Sequence, residues 1–525
     1  MKILTAAEMK EVDRLTTARY RVPGLTLMEN AGRSVAEFIQ ARFPNLAERR
    51  IVVLCGKGNN GGDGFVAARY LQKTGAKPEV FLVGNQREVK GEAAKNLNRW
   101  KKLGKLGPDR AVTKQFLASL PSGSIIVDAL LGTGVRGAVK GRLRDVINQV
   151  NEREPGRYVV AVDIPSGLQA DTGDVEGAAI VADHTVTFTA PKPGLVDREG
   201  VHRVGGLRVC QIGSPPALVE EIGRGSLRWS EASEFAPYAL PRRAEGNKGD
   251  YGHALMVAGS VGKSGAAVLA SWAALRAGAG LVTVATPEPV LPMVAAHTPE
   301  VMTEPLASTR AGTISERSLE GGLFAKLLSG KRALAIGPGL TTQSETQNFI
   351  RTVVANRFTP IILDADGLNA FAGRASELKQ PQGSLCITPH PGEMARLLGC
   401  TPREVQARRV ESAQHAARDW NAVVVLKGAG TVTASPDGHT FVNSTGNPGM
   451  ASGGTGDALT GILAALTAQH GTADWPRLLA FGVYLHGLAG DIAYSDSGEA
   501  PLIASDLIRA IPRAYKQFYS ESGRG

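Results

Sequence analysis

The sequence predicts an α/β protein of two domains, and three observations carry that expectation. A chain of 525 residues exceeds what one hydrophobic core ordinarily organises. From Ile51 onward, short runs that are apolar throughout and end in Gly or a polar loop alternate with helical patterns. Such runs suit parallel strands covered on both faces, and so an open sheet whose ligands bind beyond the C-terminal strand ends. The rhythm breaks once, between Ser214 and Gly249, where SPPALVEEIGRG and ALPRRAEGNKG gather Pro, Gly and charge. The domains are therefore expected at 1–225 and 226–525, with the boundary near Gly225.

Taken in order, residues 1–45 read as helical. Met9, Val12 and Leu15 share one face, and Leu27 to Ile39 keeps a helical period. Strands are expected at IVVLC (51–55), EVFLVG (79–84), SIIVDALLG (124–132), YVVAVDIPSG (158–167) and HTVTFTA (184–190). A second series comes after the break: HALMVAGS (253–260), LVTVAT (281–286), RALAIGPG (332–339), PIILDADG (360–367), SLCITPH (384–390) and AVVVLKGAG (422–430). The two halves are not copies of each other.

Composition excludes several classes. Apolar content of 43% with 21% charged residues is that of a soluble globular protein. The net charge of +10 is spread along the chain, with Lys101-Lys102 and Arg242-Arg243 as its densest pairs. That argues against nucleic acid and allows attraction to a small polyanion. Cys55, Cys210, Cys386 and Cys400 form no CxxC and no zinc spacing, as expected of buried thiols in a reducing, cytoplasmic setting. The first twenty residues carry early charges and no apolar signal region. The best apolar stretch, Gly265 to Thr286, is broken by Arg276, so no membrane span is expected.

Two glycine-rich loops stand out. Ile51 to Leu71 reads as strand, glycine loop and helix, and Asn447 to Gly461 has similar character. Small residues let a ligand approach the backbone, and free amides at a helix start attract phosphate. Gly56-Lys57-Gly58-Asn59-Asn60-Gly61 formally matches GxGxxG, yet a hydride-transfer site needs an acid ending the second strand. That strand ends in Gly84-Asn85, with Glu79 ahead of it. Gly262-Lys263-Ser264 lacks the earlier glycine of a P-loop, since Val257 stands there. Asp128 and Asp163 each end an apolar strand, where an acid can simply cap the next helix. With Ser166 and the Asn59-Asn60 loop they converge on one sheet edge, and such oxygens suit a hard cation. Asp457 follows Gly453-Gly454-Thr455-Gly456: either a helix-start acid, or a base on a hydroxyl facing phosphate. His390 opens a helix beside Pro391 and Glu393, and a structural role is an even alternative. Lys427 to Thr431 leaves a valine strand and reads as a nucleotide clasp or as a plain hairpin turn.

Together these motifs resemble known families. The first half resembles the NAD(P)H-hydrate epimerases, the YjeF N-terminal family, through LMENAG (27–32), GKGNNGGDG (56–64), VDALLGTGVRG (127–137) and DIPSGLQADTG (163–173). The second resembles the ADP-dependent NAD(P)H-hydrate dehydratases. It does so through NKGDYGHALMVAGS (247–260), GPGL (337–340), DADGLN (364–369), ITPHPGE (387–393), KGAGT (427–431) and NPGMASGGTGDALTG (447–461). The order is that of the bacterial bifunctional repair enzymes. The resemblance implies a Rossmann-like open sheet followed by a ribokinase-like α/β domain, and a homo-oligomer.

It also implies a reaction. R and S hydrates of reduced nicotinamide cofactors would be interconverted, and the S form dehydrated with ADP. By resemblance, the epimerase substrate would lie on Asn59, Asn60, Gly61, Gly62 and Asp63, on Gly132, Thr133, Gly134, Val135, Arg136, Gly137 and Ala138, and against Asp163 as the catalytic acid. Potassium would be held by Asn60, Asp128 and Ser166. The dehydratase substrate would meet Ala266 (or its neighbour Ala267), Gly339, His390 and catalytic Asp457. ADP, with magnesium, would contact Lys427, Gly428, Ala429, Gly430, Thr431 and Gly456. The rival reading makes the second half a small-molecule kinase and the first a non-catalytic binding module. Such a module should lose its site acids, whereas Asp63, Asp128 and Asp163 are all present.

Overall fold

A computed structural model describes residues 1–239, 241–356, 359–379 and 384–523. The chain divides into two compact units, Met1–Gly225 and Ser226–Gly525, each with its own sheet.

The first unit holds seven strands: β1 (Ile51–Cys55), β2 (Glu79–Leu82), β3 (Leu106–Gly107), β4 (Ile125–Ala129), β5 (Tyr158–Val162), β6 (His184–Phe188) and β7 (Gly206–Cys210). Their order is β3-β2-β1-β4-β5-β6-β7, all parallel. Alternate residues of β1 feed two cores. Ile51, Val53 and Cys55 join one, under helices Gly24–Arg42 and Asn59–Lys73. Val52 and Leu54 join the other, with Val146, Ile147 and Val150 of helix Gly141–Asn151. Burial on both faces explains why the run carries no polar residue; each buried Val or Leu contributes about 1.5–3 kcal/mol.

The expected strands all form; β1 spans its full expected range, and the other four of this unit stop early. The run expected over 124–132 is strand only to Ala129, and the residues beyond it form the loop that builds a site. Glu79 does not precede β2: it is the first residue, paired in register with Val52 and bonded to Arg50 at 2.6 Å. The chain runs from β1 outward to β2 and β3, then returns to β4. That reversal opens a crevice beyond the C-terminal ends of β1 and β4.

The second unit holds β8 (Leu227–Trp229), β9 (His253–Val257), β10 (Leu281–Pro287), β11 (Met302–Leu306), β12 (Ala333–Ile336), β13 (Ile361–Leu363), β14 (Leu385–Ile387), β15 (Val423–Leu426), β16 (Val432–Ala434) and β17 (Thr440–Val442). The order is β11-β10-β9-β12-β13-β14-β15-β16-β17-β8. From β11 to β15 the pairing is parallel; β15, β16 and β17 are antiparallel, and β8 lies parallel to β17. Ala254 and Met256 face a core built from helices Ser264–Arg276, Thr455–His470, Trp475–Ser497 and Ala504–Glu521. Leu255 and Val257 face the opposite core. Here the order reverses between β9 and β12, so the crevice opens beyond them. Among the described residues no helix is long and apolar enough to cross a membrane.

Candidate active sites

In the first unit, three predicted residues meet at the end of β4. Asp128 lies level with Leu54 of β1 and Ala161 of β5, fully buried. Its carboxylate accepts the Ser166 hydroxyl at 2.6 Å and the Ser166 amide at 2.8 Å. Ser166 Oγ also accepts the Leu131 amide at 2.8 Å, and Asn60 Nδ2 donates to the Leu131 carbonyl at 2.8 Å. Asp128 therefore caps no helix; it ties two loops together. Burial pushes its carboxyl up to about 6 despite the Ser166 bonds. Asn60 Oδ1 is buried without a hydrogen-bond partner, an oxygen that accepts nothing. A buried acceptor in that state costs about 1–3 kcal/mol, and a cation would satisfy it.

Asp163 forms a second centre. It follows β5 in the left-handed region, φ +63°, held there by its amide bond to the Val186 carbonyl at 2.8 Å. Its Oδ1 accepts Lys192 Nζ at 2.6 Å and Thr187 Oγ1 at 3.0 Å. Two more acids share this environment. Burial pushes Asp63 well above the usual carboxylate range, and the charges of Asp163 and Asp13 add to it. Burial likewise lifts Asp13, on helix Ala6–Tyr20, to about 6. Asn59 and the segment Gly132–Ala138 lie around the crevice, partly or fully exposed, and Gly132 sits against Asn60.

Not all the glycines of the first loop serve a ligand. A Cβ on Gly56 would sit 1.8 Å from the Leu130 carbonyl, and one on Gly61 would sit 1.9 Å from the Gly56 carbonyl. One on Gly64 would strike Ala129 at 2.6 Å. These three let helix Asn59–Lys73 start directly on the strand ends. Gly58 alone faces open space.

In the second unit, Asp457 lies in the first turn of helix Thr455–His470, preceded by Gly454 at φ +90°. Burial and the Asp364 carboxylate push it up to about 7, against the pull of Lys427. Asp364, just past β13, accepts Lys427 Nζ at 2.6 Å and Thr460 Oγ1 at 2.6 Å. Burial opposes its charge, but these partners hold it below the usual range. Lys427 Nζ also lies 3.8 Å from Glu393 and 3.6 Å from a Cβ built on Gly456. Gly428, at φ +138°, packs on Arg409, whose guanidinium bonds the Leu426 and Lys427 carbonyls. Gly428 to Thr431 joins β15 to β16, so the segment is a hairpin turn at the crevice, closed by Thr431 Oγ1 on the Gly428 carbonyl at 2.9 Å.

Gly339, at φ +66°, would place a Cβ 3.0 Å from Ala266 Cβ and 2.9 Å from the Lys263 carbonyl. Ala266 is the residue beside it, and Ala267 lies in the core. Lys263, excluded from a P-loop, bonds Asp366 at 3.1 Å, and Asp366 also accepts the Thr341 amide at 2.9 Å. His390 does have a structural role. Its Nδ1 accepts the Gly392 and Glu393 amides at 3.0 and 3.3 Å, while its own amide bonds Glu393. Burial and Lys427 keep its imidazole below the usual range.

Sequence reasoning missed Lys192 and Asp13 altogether and gave Asp364 no role. For Lys192 the one signal was its frame, Pro191 and Pro193, after a strand.

Family models match both halves: NAD(P)H-hydrate dehydratase over residues 254–513, and YjeF-related protein N-terminus over residues 24–194. Over 532 aligned residues the chain is 44% identical to the bifunctional NAD(P)H-hydrate repair enzyme Nnr of Moorella thermoacetica, covering 99% of this chain and 98% of the other. The Escherichia coli K12 protein of that name is 36% identical over 496 residues, covering 94% and 90%. Among solved structures, an ADP/ATP-dependent NAD(P)H-hydrate dehydratase from Bacillus subtilis, co-crystallised with ATP/Mg2+, is 36% identical. It covers 55% of this chain and 97% of its own, with a TM-score of 0.46.

Proposed function

This chain belongs to the bifunctional NAD(P)H-hydrate repair enzymes, and on that premise we propose which residues and cations carry its two reactions. It epimerises the R and S hydrates of NADH and NADPH and dehydrates the S hydrate back to the reduced cofactor. The nucleotide consumed is read as ADP, leaving AMP and phosphate. The family boundary is proposed at residue 225, with the epimerase in 1–225 and the dehydratase in 226–525.

For epimerisation, the hydroxyl sits on a carbon bonded to the ring nitrogen. Asp163 takes the hydroxyl proton as that C–N bond breaks, and gives it to the departing nitrogen. The carbon is then flat, and closure on its other face yields the other epimer. The loop Asn59–Asp63 and the segment Gly132–Ala138 hold the dinucleotide. Asn60, Asp128 and Ser166 would hold potassium; the unpartnered Asn60 Oδ1 supports that, and an all-oxygen donor set suits a hard cation. Bound there, the ion supplies positive charge that fixes the two loops.

For dehydration, Asp457 takes the hydroxyl proton as the oxygen attacks the terminal phosphorus of ADP and AMP departs. The ring nitrogen then expels phosphate, and the neighbouring carbon loses a proton to restore the double bond. Gly456 and Lys427 to Thr431 would bind the nucleotide, and Ala266, Gly339 and His390 the hydrate. Magnesium, carried on the phosphates, supplies charge neutralisation. One observation carries this reading: Asp457 stands at a glycine-flanked helix start with its carboxyl lifted to about 7, matched to a base working near neutrality.

D457N is expected to lower dehydration of the S hydrate by at least about 100-fold, the scale of general base catalysis, and to spare epimerisation. Recovery of reduced-nicotinamide absorbance with ADP or ATP, beside chromatographic R-to-S conversion, reads both. Dehydration surviving in D457N would remove Asp457 from the role. The proposed copies of the chain assembled into an oligomer, and its cytoplasmic setting, are read by mass in solution and by fractionation of cells.

A further inference from the structure

Lys192 is buried to a degree lysine rarely reaches. Its side chain is 2% exposed, and cationic side chains are almost never so enclosed unless paired. Its ammonium has three protons and meets three acceptors: Asp163 Oδ1 at 2.6 Å, Thr187 Oγ1 at 2.9 Å and the Phe188 carbonyl at 3.3 Å. Thr187 in turn donates to Asp163 Oδ1. Both bonds to Asp163 fall on one oxygen. Among the described residues no hydrogen bond is made to Oδ2. Pro191 and Pro193 fix the backbone on either side, so the ammonium is held rather than merely near.

The groups around this pair come from three other elements. Helix Ala6–Tyr20 brings Asp13, whose Oδ1 is buried without a hydrogen-bond partner. Helix Asn59–Lys73 brings Asp63, and β1 ends at Cys55 beside it. Carboxyl groups crowded in one desolvated place cannot all ionise, because each added charge raises the cost of the next. The acid that keeps its charge is the one in contact with a cation, and Asp163 is the acid bonded to Lys192.

We propose that Lys192 is a positioning residue for epimerisation: its ammonium selects Asp163 as the ionised acid and pins Oδ1, leaving Oδ2 to move the proton. This rests on the reading of Asp163 as the proton carrier. Asp63 is then a neutral neighbour that keeps the place dry without competing for the hydroxyl proton. The lysine gives up no proton in the step. Its charge is a fixed part of the reaction centre, and it acts through the carboxylate.

The test uses the full chain and the purified R hydrate. K192Q should lower kcat for epimerisation about 100-fold with KM within about twofold, and move the acid limb of the kcat–pH profile to higher pH. K192R, which keeps a charge at every working pH, should recover part of kcat with the acid limb at its wild-type position. Dehydration of the S hydrate by the same preparations measures intact second units, and near-ultraviolet circular dichroism of K192R checks the fold of the first. Epimerisation by K192Q within about threefold of wild type would overturn the proposal. So would a K192R variant that is folded yet as impaired as K192Q, or a loss carried by KM with the acid limb unmoved. D163N separates the two claims: if D163N epimerises normally, the reading of Asp163 fails, whereas an inactive D163N beside an active K192Q rejects Lys192 alone.

Discussion

At Asp457 the acid proposed as the base carries its own pH dependence. Its folded carboxyl is lifted to about 7 by burial, then by Asp364 and last by Asp366, so the reactive carboxylate is lost as pH falls through that value. Dehydration should therefore decline below about pH 7, and D366N should move that limb to lower pH by less than about one unit. A kcat–pH profile for the S hydrate checks both; a limb that stayed in place in D366N would deny that Asp366 acts on Asp457. Asp457 was legible because it follows stacked glycines at a helix start, and Asp128 and Asp163 because each ends an apolar strand. Lys192 and Asp13 were not. A lysine between prolines and an acid on a surface helix both look solvated, and only tertiary packing removes them from water. For Asp13 a trace was present: it lies four residues from Met9 and beside Val12, on the apolar face of its helix.

Among the elements, the parallel strands of both sheets were readable because burial on two faces demands an uninterrupted apolar run. The strands that escaped notice are those near the sheet margins. Met302–Leu306 contains a Pro and a Glu and is largely exposed, Leu106–Gly107 spans two residues, and Gly206–Cys210 is partly open. An edge strand has one neighbour and often one wet face, so its sequence need not announce it. Leu227–Trp229 is defined by a partner far along the chain, Thr440–Val442, and Val432–Ala434 and Thr440–Val442 are short hairpin strands of three residues each. The end of β4 is where the proposed potassium would bind. Binding there should stabilise the first unit by about 1.4 kcal/mol at ten times the dissociation constant. Thermal unfolding in potassium against equal lithium reads this, and D128N should erase the difference; equal melting in both salts would refute the site.

For the molecule as a whole, two sheets with separate cores imply two reactions that do not need each other's chemistry. Residues 226–525 produced alone should recover only the S fraction of a mixed hydrate pool, and the full chain should recover both. Complete recovery by the shorter chain would mean that the second unit epimerises as well, which would displace Asp163 from its role. The helix Ala6–Tyr20 lies ahead of the segment 24–194 that the first family model matches. Met9, Val12 and Leu15 pack with Leu4, Leu218, Val219 and Ala190, and Ala190 is two residues from Lys192. Trimming a gene to the matched segment would thus look harmless on paper. It would unroof the place where Lys192 meets Asp163, let water reach the ammonium, and leave epimerisation silent for reasons no alignment of the matched segment displays.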